Sequence, residues 1–171
     1  MTAGNPQRIT IRPYTAADAA AVTDVFRSAV RGIASRDYTA SQVRAWAPDD
    51  IDVAQFGRRC ETRSTWVVEA QGRVAGFSDL ESDGHIDMLY VHPDFERRGV
   101  ARALLGHIEA TARANGLRRL YAEASMTARP VFEAMGFRIL ARQTVTLRGE
   151  SMTNFRMEKR LESPAPSPGA T

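Results

Sequence analysis

The 171-residue sequence contains a single cysteine, Cys60, so no internal disulfide can form, which favours a reducing compartment. Cys60 lies in a helical-looking stretch with no histidine at metal-ligand spacing and reads as a small structural hydrophobe rather than a nucleophile. No run of about 18 apolar residues occurs, and MTAGNPQRIT at the start has no apolar signal core. A soluble, cytoplasmic protein without a membrane partner is expected. The excess of one sign of charge is also small: the net charge is +3, and the arginines are spread through several elements, so no nucleic-acid partner is expected. There are no internal repeats, no G-x-x-x-x-G-K-S/T phosphate loop and no three-glycine dinucleotide fingerprint. The length suits one domain, and 43% hydrophobic residues suffice for a core.

What is present centres on the apolar run IDMLYV, Ile86 to Val91, and the segment HPDFERRGVARALL that follows it, His92 to Leu105. Ala101, Leu104, Leu105, Ile108 and Ala112 recur with the spacing of one buried helical face. The order is therefore strand, tight loop, helix. The first turn of such a helix aims free amide N–H groups outward and carries roughly half a positive charge. Gly99 has no Cβ, so a large group can lie against the main chain, and Arg97, Arg98 and Arg102 add charge that suits phosphate. A pyrophosphate cradle is predicted between Arg97 and Arg102.

The rest of the chain alternates strands and helices. Ile9 to Pro13 reads as a strand; Thr15 and Asp18 form a capping box for a helix carrying Val22, Val25, Phe26, Ala29, Val30 and Ile33. A short helix follows around Ser41 to Trp46, and residues 49–62 look helical. Trp66 to Ala70 and Arg73 to Leu80 make a hairpin, and Asp83-Gly84 turns into a third strand, His85 to Val91. The long helix from about Arg98 stops at Asn115-Gly116, and Arg118 to Ala124 returns as a strand, a right-handed parallel unit in an otherwise antiparallel sheet. Thr127 is the expected N-cap of a short helix with Pro130 in its first turn, ended by Gly136. Two strands, Phe137 to Leu147 and Ser151 to Met157, precede a Pro/Ser/Gly-rich tail, 162–171, expected to be disordered.

Four stretches carry a family resemblance. Glu96 to Ala101 resembles the Gln/Arg-x-x-Gly-x-Gly/Ala signature of the GNAT superfamily of acyl-CoA-dependent N-acyltransferases, with Glu96 where Gln or Arg is usual. Leu89 to Pro93 resembles the strand beside the pantetheine arm. Ala124 to Pro130 resembles the motif in which Asn or Ser precedes a short helix, and Val131 to Phe137 resembles its x-Tyr/Phe-Glu-x-x-Gly-Phe ending. The resemblance implies an α/β GNAT fold over residues 1–161. Its single mixed, mostly antiparallel sheet of about six to seven strands would be splayed at the centre and flanked by about four to five helices. It implies acetyl-CoA as cosubstrate with no metal, and a small-molecule or peptide amine as acceptor. It also implies main-chain contacts to the cosubstrate at Leu89, Tyr90 and Val91. The pyrophosphate would lie on Arg97, Arg98, Gly99, Val100, Ala101 and Arg102, with Ser125 and Phe132 on the far side of the fork. Pairing of the last strands across a two-fold leaves a homodimer open.

An amine that attacks a thioester must be neutral, and for a lysine-like pKa of ~10.4 neutrality at pH 7 costs roughly 4–5 kcal/mol. His85 and Asp87, two apart on the expected strand and hence on one face, match positions where family members carry a catalytic Glu or His. Family members often protonate the leaving thiolate with a Tyr where this chain has Phe132, so Tyr90, Tyr121 or Ser125 is an alternative donor. Tyr38, Trp46 and Phe56 are either walls of the acceptor pocket or ordinary core aromatics. The expected activity is direct acetyl transfer in a ternary complex. The competing reading, motivated by Glu96 and Phe132, is an acyl-CoA-binding module with little catalysis.

Overall fold

The computed structural model describes residues 8–162 and Gly169, so most of the expected disordered tail lies outside the described residues. Strand β1 (Thr10–Pro13) leads through a 3-10 turn into α1 (Ala19–Gly32). The capping box forms as the sequence suggests: Asp18 accepts from the Thr15 amide at 2.8 Å, and Arg12 fixes the same carboxylate with two 2.8 Å bonds. Two shorter helices follow, α2 (Ala40–Trp46), capped by Thr39, and α3 (Val53–Glu61), capped by Asp52. Strands β2 (Ser64–Ala70), β3 (Arg73–Leu80) and β4 (Leu89–Val91) then make the meander. The chain continues as α4 (Val100–Ala114), β5 (Arg119–Ser125), α5 (Arg129–Ala134), β6 (Arg138–Leu147) and β7 (Glu150–Arg160).

Strand alternation sorts the core into layers. Val67, Phe77 and Met88 pack against Val22, Val25, Phe26 and Val30 of α1, whereas Val68 and Ala75 meet Val100 and Leu104 of α4 on the opposite face. A third cluster joins Leu105, Ile108 and Ala112 of α4 to Phe132 of α5 and Leu120, Ala122 and Met157 of the last strands. Among the described residues no helix is long and apolar enough to cross a membrane.

The seven strands divide into β1-β2-β3-β4 and β5-β7-β6, each antiparallel. Their main chains meet only at one parallel bridge among the described residues, His85 to Tyr121, where the Ile86 amide donates to Tyr121 O at 2.9 Å and the Tyr121 amide to Gly84 O at 3.1 Å. Joined at that end and unpaired at the other, β4 and β5 splay apart, which is the expected central fork. In the three-stranded half, Glu158 accepts from Arg119 at 2.7 Å and Arg138 at 2.6 Å, tying β7 to both neighbours. Those two guanidiniums hold its carboxyl down to about 2.

Two expected boundaries shift. The strand expected over His85 to Val91 shortens to Leu89–Val91 because the buried Asp79 carboxylate takes the amides of Asp87 (2.9 Å) and Met88 (2.8 Å), while Ser78 Oγ donates to Met88 O at 2.6 Å. Side chains thus replace ladder partners there. Helix α4 starts at Val100 rather than Arg98 because Arg97 and Gly99 adopt left-handed φ of 60° and 79°.

Candidate active site

The loop entering α4 is held from below. Phe95 is buried, and the Arg98 guanidinium lies over its ring at 5.6 Å. Above that anchor Arg97 and Gly99 are both left-handed, and left-handed residues within a turn can group amides into an anion-binding concavity. No carbonyl or side chain among the described residues accepts from the amides of Arg97 to Arg102. A Cβ built on Gly99 would meet nothing within 4 Å, so there is free space beside the main chain of the loop. The donor set suits a diphosphate.

Beside this loop runs a cavity of about 690 Å³, walled by β4 and Gly99 to Arg102 on one side and by Ser125, Pro130 and Val131 on the other. Antiparallel bonds alternate, and here the His92 amide donates to Ala75 O (2.8 Å) and the Asp79 amide to Met88 O (3.3 Å). The main-chain groups of Leu89 and Val91 therefore face the fork, and those of Tyr90 pair back to Phe77. Of the three expected main-chain contacts, Tyr90 thus reaches the cavity with its side chain only. Ser125 Oγ accepts from the Ala128 amide at 3.0 Å in the turn before the short helix, whose N-cap is Ala128, without a side-chain cap, rather than the expected Thr127. Phe132 does not line the cavity: it is 3% exposed and packs edge-on against Phe137 at 5.0 Å. On a helix of six residues, the turn that brings Val131 to the fork rotates Phe132 into the core.

Residues 36–38 strap the open end of the fork. Arg36 makes a bidentate pair with Glu96 of the loop entering α4, at 2.5 and 2.9 Å. Asp37 accepts from Thr127 Oγ1 at 2.8 Å; Tyr38 Oη accepts from the Met126 amide at 3.0 Å and donates to Thr153 O at 2.6 Å. One short segment therefore holds both halves of the sheet. Tyr38 serves the strap and packs on Trp46 at 5.4 Å without lining the second cavity, described next.

That second cavity, of about 700 Å³, lies on the α1–α3 side and contains Phe26, Trp46, Phe56, Asp87 and Tyr90. Trp46 and Tyr90 also line the first, so the two spaces meet there. Trp46 Nε1 donates to Tyr90 Oη at 3.3 Å, and burial raises the Tyr90 hydroxyl to about 12. Asp87 reaches this cavity, but Arg59 and Arg63 both donate to its Oδ2. Burial pushes its carboxyl up, and the two guanidiniums outweigh that, leaving it below the usual range. The Arg63 guanidinium pairs with Asp79, Glu81 and Asp87, the one carboxylate trio close enough to ligate a metal among the described residues.

His85 is not brought to Asp87. Its Nε2 lies 2.5 Å from Glu123 and its Nδ1 3.3 Å from Glu81, and its ring stacks on Tyr121 at 4.8 Å, away from both cavities. Burial lowers its pKa, but the two carboxylates more than offset that, so it lies above the usual imidazole value. Tyr121 is likewise outside both cavities, its hydroxyl donated to Asp83. Arg36, Arg63 and Asp79 belong to no motif and have no local signature in the sequence.

The family model for the acetyltransferase (GNAT) domain matches residues 34–160. The chain belongs to that family and is an acetyltransferase. It is 37% identical over 150 residues to YafP, an uncharacterized N-acetyltransferase of Escherichia coli K12, covering 87% of this chain and 94% of YafP. A GCN5-related N-acetyltransferase structure from Rhodopseudomonas palustris superposes with a TM-score of 0.85 at 35% identity, covering 94% of this chain and 99% of that one. At 23% identity, the structure of YncA from Salmonella typhimurium with its cofactor acetyl-CoA shares the fold, with a TM-score of 0.71 over 96% of this chain and 99% of YncA. Against the GNAT pattern, Glu96 is the departure in the loop entering α4, and Arg36 pairs with it there. Phe132, the second departure, has left the cavity.

Proposed function

We propose that the protein moves an acetyl group from acetyl-CoA to a primary amine by direct attack in a ternary complex. Two cavities meeting at Trp46 and Tyr90, one of them walled by the open amides of the α4 loop, carry this reading. The amides from Arg97 to Arg102 bind the diphosphate, with Arg97, Arg98 and Arg102 adding charge. Leu89 and Val91 offer their amides and carbonyls to the pantetheine arm as to an added strand. Acetyl-CoA supplies an acyl thioester, an activated carbonyl.

Tyr90 stands where that carbonyl would arrive. Its oxygen accepts from Trp46, so its own O–H is free to donate to the carbonyl oxygen as charge gathers there. At about 12 the hydroxyl holds its proton more firmly than a thiol of pKa ~8.5 does. Tyr90 therefore stabilises by hydrogen bonding, and CoA departs as thiolate without an acid. Asp87, held by two arginines, orients Arg59 on the cavity wall. The binding-module alternative loses its motives, since Arg36 answers Glu96 and Phe132 lies outside the site.

Calorimetry with acetyl-CoA and thiol release with amines test this reading. The wild type should bind saturably, one acetyl-CoA per chain, and release thiol only when an acceptor is present. Gly99→Val sets a β-branched residue at a φ of 79° and fills the open space, so acetyl-CoA should bind at least about 10-fold more weakly. Unchanged affinity in that variant, or no thiol release by the wild type with any amine, would contradict the proposal.

A further inference from the structure

The acetyl-transfer reading leaves the acceptor open, and the chemistry where the two cavities meet narrows it. The second cavity ends in four aromatic rings. Phe26 lies 5.2 Å from Phe56 and 4.9 Å, edge-on, from Tyr90, and Trp46 lies 6.3 Å from Tyr90. Such walls take a flat apolar body.

The side chains lining that space bring no free imidazole and no unpaired carboxylate to the junction. Asp87 lines the cavity, and both Arg59 and Arg63 donate to it. Asp52 caps α3 by accepting from the Gln55 amide at 3.1 Å and, like Asp50, is exposed at the rim. Tyr90 keeps its own proton at neutral pH. His85 has both ring nitrogens occupied and lies outside the cavity. An alkylammonium would be held by the rings through cation–π attraction, yet nothing beside it would make it nucleophilic.

We infer that the acceptor is a primary aromatic amine, whose nitrogen is already neutral at pH 7, seated among Phe26, Trp46, Phe56 and Tyr90. This rests on the acetyl-transfer reading. The ring draws on the nitrogen lone pair and so lowers its basicity, which removes the need for a base before attack. In the transfer the lone pair attacks the thioester carbonyl carbon and the C–N bond forms. The C–S bond breaks with its electron pair on sulfur, and one nitrogen proton passes to that sulfur or to water. The products are an N-aryl acetamide and CoA.

Aniline and benzylamine share a ring and differ by one methylene, which restores alkylamine basicity. With the full-length protein and acetyl-CoA at pH 7, kcat/KM for aniline should exceed that for benzylamine by about 100-fold or more, because only a small fraction of an alkylamine is neutral there. Between about pH 6 and 9 the aniline rate should stay flat, whereas the benzylamine rate should climb as its own nitrogen deprotonates. Benzylamine turned over as well as aniline at pH 7 would overturn the acceptor assignment and leave acetyl transfer intact. Saturable acetyl-CoA binding with no turnover of aniline would overturn the acceptor assignment too. Failure to bind acetyl-CoA at all would remove both.

Discussion

Replacing Tyr90 with phenylalanine should lower kcat for acetyl transfer about 100-fold, the loss expected when one preorganised donor to a developing oxyanion is removed. The ring fills the same volume, so its packing against Phe26 at 4.9 Å and Phe77 at 5.6 Å survives. The main chain of residue 90 pairs with β3 and not with the cosubstrate, so the dissociation constant for acetyl-CoA should move less than about 3-fold. What goes is one hydroxyl where the two cavities meet. A kcat within about 2-fold of wild type, with acetyl-CoA affinity unchanged, would show that Tyr90 only lines the passage.

A comparable effect on stability is expected at the closed end of the fork. Gly84 has a φ of 97°, and a Cβ there would land on the carbonyl oxygen of Arg119. Its own carbonyl accepts from the Tyr121 amide beside the His85 bridge, so an added methyl pushes against the main-chain junction between the two halves. Backbone strain and a clash against rigid main chain together predict a loss of about 3 kcal/mol for Gly84→Ala. For a chain of this size that lowers the melting temperature by about 6–12 °C. Denaturant unfolding measures it directly, and a change within about 0.5 kcal/mol would mean that the junction yields without cost.

The parts of the molecule legible in the sequence are those governed by local chemistry. Helical spacing from Ala101 to Ala112, the capping box at Thr15 and the glycine turn at Gly99 each act over a few residues, and the elements form where those signals lie. The matching order of motifs extended this to the sheet and its fork. The losses come from partners distant in sequence. Asp79 captures amides eight and nine residues on, which ends the expected strand early and takes His85 and Asp87 off a shared regular strand. Arg63 reaches Asp87 across 24 residues and Arg36 reaches Glu96 across 60, and neither has a local signature. Phe132 fits the motif by position, but the length and rotation of α5 decide which of its residues face the cavity.

The claim beneath these expectations is that main chain does the binding: amides at the start of α4 hold a diphosphate, and the unpaired edge of β4 holds the arm attached to it. Amide spectra of ¹⁵N-labelled protein, titrated with acetyl-CoA, test this residue by residue. The amide resonances of Arg97 to Arg102, Leu89 and Val91 should shift together and saturate at one equivalent, while that of Tyr90, already bonded to β3, moves least along that strand. Saturable binding that leaves those amides in place and shifts others instead would contradict the account.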